Sequence, residues 1–191
     1  MSGSVVDALR WWARTMPDHV AITFGDRDVT YAEVAERAEA VGRELRAHGV
    51  RAGDRVGVVG ANSLDWYLAA VGGWAAGAVV TPFNQRMVAA ELSALVADCA
   101  PTAVYCDAEH RERVLEAIAA AGSDQIAVLA LEDVQGLPAS ADAPSGPGRL
   151  DDPCAIIYTS GTTGQPKGVV FTHGTIAGVM QEWSLIEPVH P

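Results

Sequence analysis

Four short apolar runs, Arg55–Val59, Ala78–Thr81, Thr102–Cys106 and Gln125–Leu129, alternate with stretches of helical periodicity at Ser63–Ala76, Val88–Asp98 and Ala108–Ala121. This alternation narrows the fold more than any other feature. Strands separated by whole helices cannot pair as tight hairpins, so each crossover returns the chain parallel to the strand it left. The expected fold class is therefore α/β, built from βαβ units around a mostly parallel sheet.

The flanks read just as locally. Val5–Met16 is expected to be an amphipathic helix carrying Arg10 and Arg14, stopped near Pro17. Val20–Phe24 and Asp28–Thr30 form a short hairpin across Gly25-Asp26-Arg27. Thr30 followed by Glu33 is a capping box for a helix running to about His48, with Val34, Ala38, Val41 and Leu45 on one face and Gly49 closing it. Gly136–Asp152 breaks the alternation with Pro138, Pro144, Pro147, Gly146 and Gly148, the composition of a loop. The expected organisation is an α/β unit over 1–135, a loop over 136–152, and a hairpin with a following helix (Gly174–Leu185) over 153–191.

A net charge of −11 argues against nucleic-acid binding, which needs a basic face. It also means that any anionic ligand must be held by local positive potential and not by the overall field. No apolar run reaches the ~18 residues of a membrane span, and Arg10 and Arg14 exclude a signal peptide; a cytoplasmic protein is expected. Cys99, Cys106 and Cys154 have no pairing or metal-knuckle spacing, so buried, reduced thiols and no metal site are expected.

The chemistry concentrates in Tyr158-Thr159-Ser160-Gly161-Thr162-Thr163-Gly164-Gln165-Pro166-Lys167-Gly168. An apolar run, Ala155–Tyr158, enters it, and another, Val169–Phe171, leaves it, so it is a strand, a loop and a strand. Glycines let backbone N–H groups approach a ligand, hydroxyls add short donors, and a cation neutralises anionic oxygens. The chain has 13 Lys and Arg residues, and Lys167 is the single lysine among them. Lysine is a compact charge on a flexible stem where arginine is a rigid fork. The natural guest is a polyphosphate. A P-loop of the G-x-x-x-x-G-K-[ST] kind does not fit: Pro166 stands at its second glycine, Gly168 at its Ser/Thr, and the following residues are strand-like.

The segment closely resembles the signature of the adenylate-forming enzymes, the superfamily of acyl-CoA synthetases, aryl-CoA ligases, luciferases and peptide-synthetase adenylation domains. Thr172-His173 after it is similar to the acyl-CoA ligase version. Upstream, Gly53–Val59, Asn62-Ser63, Ala76–Asn84 and Glu91-Leu92 also fit the early part of that family. The resemblance implies the N-terminal part of the acetyl-CoA synthetase-like fold, with the Gly/Thr-rich loop as a hairpin. It implies ATP, Mg²⁺ and coenzyme A as cofactors, with a carboxylic acid as substrate. Thr159, Ser160, Gly161, Thr162, Thr163, Gly164 and Lys167 would then hold the ATP phosphates, with His173 as a further candidate near the nucleotide or substrate.

Family members carry, beyond this region, an adenine and magnesium motif, a ribose aspartate, an acyl pocket and a second lysine. The expectation is therefore an N-terminal portion, inactive alone, whose exposed sheet edge self-associates or meets a complementary C-terminal portion. A non-catalytic module of the same fold and a peptide-synthetase adenylation domain stand as alternatives. Elsewhere, Gly57–Asn62 lacks a dinucleotide fingerprint and reads as a strand–helix turn with Asn62 or Ser63 as cap. Trp66 and Trp74 share one helix face, and Arg86 reads as a structural cation near a helix start.

Overall fold

A computed structural model describes residues 3–139, 148–159 and 166–186, with side chains to residue 179. Helix α1 (Val5–Thr15) starts in a full capping box between Ser4 and Asp7. Strands β1 (Val20–Phe24) and β2 (Arg27–Thr30) form an antiparallel two-stranded ribbon. Helix α2 (Tyr31–Ala47) begins at Thr30, whose hydroxyl accepts from the Glu33 N–H while the Glu33 carboxylate accepts from the Thr30 N–H.

The main sheet follows. Its strands are β3 (Arg55–Val59), β4 (Val79–Phe83), β5 (Ala103–Cys106), β6 (Ala127–Ala130), β7 (Pro153–Thr159) and β8 (Lys167–Thr172), in the order β6-β5-β3-β4-β7-β8. All neighbours are parallel except β7 and β8. The hairpin thus joins the same sheet as the βαβ units before it. The fold is the expected one: α/β with a mostly parallel sheet.

Helices α3 (Leu64–Ala75), α4 (Ala89–Cys99) and α5 (Arg111–Ala120) make the crossovers, and α6 (His173–Ile186) follows β8. Alternate strand residues face opposite sides. Val56, Val58, Val80 and Tyr105 pack with α1, α2 and α3 in one core cluster. Val59, Phe83, Val104 and Cys106 pack with α4 and α5 in the other. Helices α2 and α3 pack together at Gly72, which leaves no space for a side chain against Val41.

Several boundaries differ from the sequence reading, among them the start of β6 at Ala127 and not Gln125, and three of the differences bear on the site. Strand β4 runs through Pro82 to Phe83, two residues past the expected end; the residue still fits an extended backbone, because only its donor is missing. Helix α5 starts at Arg111 and not at Ala108, because Asp107 captures the His110 N–H in a turn. Leu131–Gly136 forms a 3₁₀ turn ahead of the loop, held by Arg37, which donates to the Gln135 carbonyl at 3.0 Å. Among the described residues the sheet ends at β6 on one side and at β8 on the other, where Val169 and Val170 are exposed. No helix among the described residues is long and apolar enough to cross a membrane.

Candidate functional site

Three strand ends meet at the carboxyl edge of the sheet. Gly60 and Asn62 follow β3, Pro82 to Met87 end and follow β4, and Tyr158 and Thr159 end β7; these residues line an open cleft of about 990 Å³. Trp66 on α3 and Glu91 on α4 close its sides. Strand β3 leads into α3 on one face and β4 into α4 on the other. The two connections part here, and such switch points are where open α/β sheets bind ligands. Pro82 contributes: it has no N–H to give to a neighbour, and β4 meets β7 at Val80↔Ala155, before the proline.

The hairpin stem rises at the edge of this cleft. Its last two rungs are Tyr158↔Gly168 and Thr159↔Lys167. The Thr159 hydroxyl donates to the Lys167 carbonyl at 3.5 Å. Lys167 is exposed, and Pro166 lies on the cleft rim. The structure therefore brings Thr159 and Lys167 together at the mouth of the loop. Ser160, Gly161, Thr162, Thr163 and Gly164 lie outside the described residues.

His173 sits elsewhere. It is the first residue of α6, at the far end of β8 from the loop. The six residues of β8 span roughly 20 Å. Its ring is buried at 5% exposure and its Nδ1 accepts from the Val5 N–H at 3.4 Å. It faces a separate cavity of about 460 Å³ at the amino edge of the sheet, shared with Ser4, Arg10, Trp74 and Asp152. Burial lowers its pKa, against the opposing pull of Asp152 and Asp7. The structure does not bring His173 to the loop it was grouped with by sequence.

Arg86 is exposed and borders the cleft, its backbone N–H donating to the Asn84 side chain at 2.9 Å. Trp66 and Trp74 both pack on the first core cluster, and the Trp74 indole donates to the Cys154 carbonyl at 2.8 Å. Cys99, Cys106 and Cys154 are free and buried, and burial pushes each thiol up to about 11, which keeps them protonated and unreactive at neutral pH. Among the described residues no group of three or more His, Cys, Asp or Glu is placed to hold a metal ion.

Two polar pairs with a member beside the cleft were not anticipated. The Asp107 carboxylate accepts from the Ala61 N–H at 3.1 Å and contacts the buried His110 ring at 2.5 Å. Burial pushes its pKa up, but the His110 ring and the two backbone N–H groups outweigh that and hold it below the usual range. Its signal in the sequence is an aspartate at a strand end, three residues before a histidine. The second pair joins the Tyr158 hydroxyl to the Asp98 carboxylate. Burial first, and the carboxylate second, hold that phenol well above its usual pKa. Sixty residues separate the partners, so no local pattern announces it.

Comparison with known proteins identifies the family. Residues 9–190 match the family model described as AMP-binding enzyme. A feruloyl-CoA synthase from Amycolatopsis sp is 37% identical over 164 residues, covering 86% of this chain and 32% of the relative. Surfactin synthase subunit 3 of Bacillus subtilis (strain 168) is 30% identical over 165 residues, covering 86% of this chain and 12% of that protein. The inhibitor-bound crystal structure of the N-terminal domain of FACL13 from Mycobacterium tuberculosis superposes with a TM-score of 0.84 at 31% identity, covering 95% of this chain and 47% of that one. The chain thus spans about a third of the length of the feruloyl-CoA synthase that it matches.

Proposed function

This chain belongs to the AMP-binding enzyme family, and on that premise we propose that it forms the phosphate-holding part of an ATP-dependent acid–thiol ligase. In that reaction a carboxylate oxygen attacks the α-phosphorus of ATP. The bond from that phosphorus to the bridging oxygen breaks, and pyrophosphate leaves with the electron pair. The sulfur of coenzyme A then bonds to the acyl carbon, AMP departs with the C–O electron pair, and the thiol proton passes to solvent.

The hairpin loop serves the first step. Ser160, Thr162 and Thr163 donate hydroxyl hydrogen bonds to the β- and γ-phosphates, Thr159 joins them by turning its hydroxyl away from the Lys167 carbonyl, and Gly161 and Gly164 let the backbone come close. Lys167 balances the charge that grows on the departing pyrophosphate. Fixed donors of this kind act by electrostatic stabilisation. The family also implies Mg²⁺; the described residues assemble no ligand set for it, and no step here runs through the metal. The observation that carries the reading is the placement of Thr159 and Lys167 as the last rung of a hairpin at a switch-point cleft.

The likeness to surfactin synthase subunit 3 supports a second reading, an adenylation domain that activates an amino acid for a carrier-protein thiol. The higher identity to feruloyl-CoA synthase and the Thr172-His173 ending favour coenzyme A. The test is ATP–pyrophosphate exchange by the polypeptide as encoded, with the complementary C-terminal portion supplied in trans where the chain alone is silent, over a panel of aromatic, fatty and amino acids, followed by product capture with coenzyme A. Exchange driven by an aromatic or fatty acid, with a CoA thioester formed, is expected. Exchange driven only by an amino acid establishes the second reading, and no exchange with any acid contradicts both.

A further inference from the structure

The ligase chemistry leaves Tyr158 without a task, yet its surroundings are built around it. Its hydroxyl donates to Asp98 near the C-terminal end of α4. That helix is fixed: Leu92, Leu95, Val96 and Cys99 lie in the second core cluster, and Arg55 donates to the Cys99 and Ala100 carbonyls at its end, at 2.6 and 2.9 Å. The Tyr158 ring tilts against Phe83, with centroids 6.5 Å apart. Across the rung it covers Gly168. A Cβ at 168 would lie 3.3 and 3.4 Å from two ring carbons and 2.8 Å from Ile156 Cγ2. Glycine at the end of the motif therefore makes room for the aromatic ring at its start.

Packing alone explains a phenylalanine at 158 as well as a tyrosine. The ring packs on the core cluster that α4 shares, and the hydroxyl adds a directed bond to that helix. The next rung outward is Thr159↔Lys167, so whatever holds Tyr158 also holds the two residues at the mouth of the loop. We infer that Tyr158 is a positioning residue, whose hydrogen bond to Asp98 locks the base of the hairpin against α4 and thereby sets the place of the Thr159–Lys167 rung over the cleft. The inference rests on the reading of this hairpin as the ATP-phosphate holder.

The test uses Tyr158→Phe, Asp98→Ala and the double variant in the polypeptide as encoded, with ATP–pyrophosphate exchange as the readout. Each single variant is expected to raise the KM for ATP about three- to tenfold, the scale of one hydrogen bond. The KM for the carboxylic acid and the Tm stay at wild-type values. The double variant is no worse than either single one, because both remove the same bond. Asp98→Asn keeps an accepting oxygen and restores most of the loss.

A wild-type KM for ATP in Tyr158→Phe overturns the inference. So does an equal rise in both KM values with a falling Tm, which marks a merely structural bond. Lys167→Ala separates the two levels. If it cripples exchange while Tyr158→Phe does nothing, only the anchoring role fails. If Lys167→Ala is also silent, the phosphate reading itself fails.

Discussion

Lys167→Ala is expected to slow ATP–pyrophosphate exchange by roughly 10²–10³-fold in the polypeptide as encoded, the usual cost of removing one fixed donor to a developing oxyanion. Lys167 is exposed and lies on the outer rung of the hairpin, so its removal leaves the core untouched and the Tm within a degree or two of wild type. Lys167→Arg is expected to recover little. The guanidinium carries the same charge, but as a rigid planar fork on a different stem, and a bidentate group does not replace a point charge. The net charge of −11 sharpens the effect, since no general positive field substitutes for the lost ammonium. Exchange within threefold of wild type would remove Lys167 from the mechanism.

Gly72→Ala is expected to destabilise the fold by about 2 kcal/mol, although alanine is the better helix former. Propensity favours alanine by about 1 kcal/mol in a helix interior. Against that, the new Cβ would stand 2.2 Å from Val41 Cγ1 and 2.3 Å from Val41 Cβ, well inside contact distance. Val41 is fully buried in the first core cluster and has nowhere to turn. Relief requires α2 and α3 to separate, and overpacking of this kind costs about 1–3 kcal/mol or more. Urea unfolding monitored by the tryptophans measures it. Gly136→Ala, where a Cβ meets nothing within 4 Å, is the control and should change stability by less than about 0.5 kcal/mol. A Gly72→Ala variant as stable as wild type would show that the two helices pack more loosely than described.

These contrasts show which parts of the molecule sequence alone discloses. The βαβ alternation, the Thr30–Glu33 capping box and a cap at Asn62 or Ser63, which the structure places at Ser63, were legible because each depends on residues within a few positions of one another. The stem Tyr158–Gly168 was legible for the same reason, since its strands flank the motif directly. Pro82 inside β4 was not, because a proline's fitness there depends on which neighbouring strand lacks a partner. The start of α5 was misplaced because Asp107 ties up the first turn with a side-chain bond. His173 follows the motif in sequence, and a strand then carries it to the opposite edge of the sheet. The Tyr158–Asp98 bond was hidden for a like reason: its partners meet only when β7 docks beside β4 near the end of α4.

Backbone resonances of the chain offer the most direct measurement. A ¹H–¹⁵N titration with ATP and Mg²⁺, repeated with pyrophosphate, reports each amide separately. Shifts concentrated in the amides of Thr159–Gly168, with the amides around His173 and the amino-edge cavity unmoved, are the expected result. A loop that stays silent at saturating nucleotide, or shifts confined to the amino edge, would contradict the assignment of this hairpin as the holder of the triphosphate.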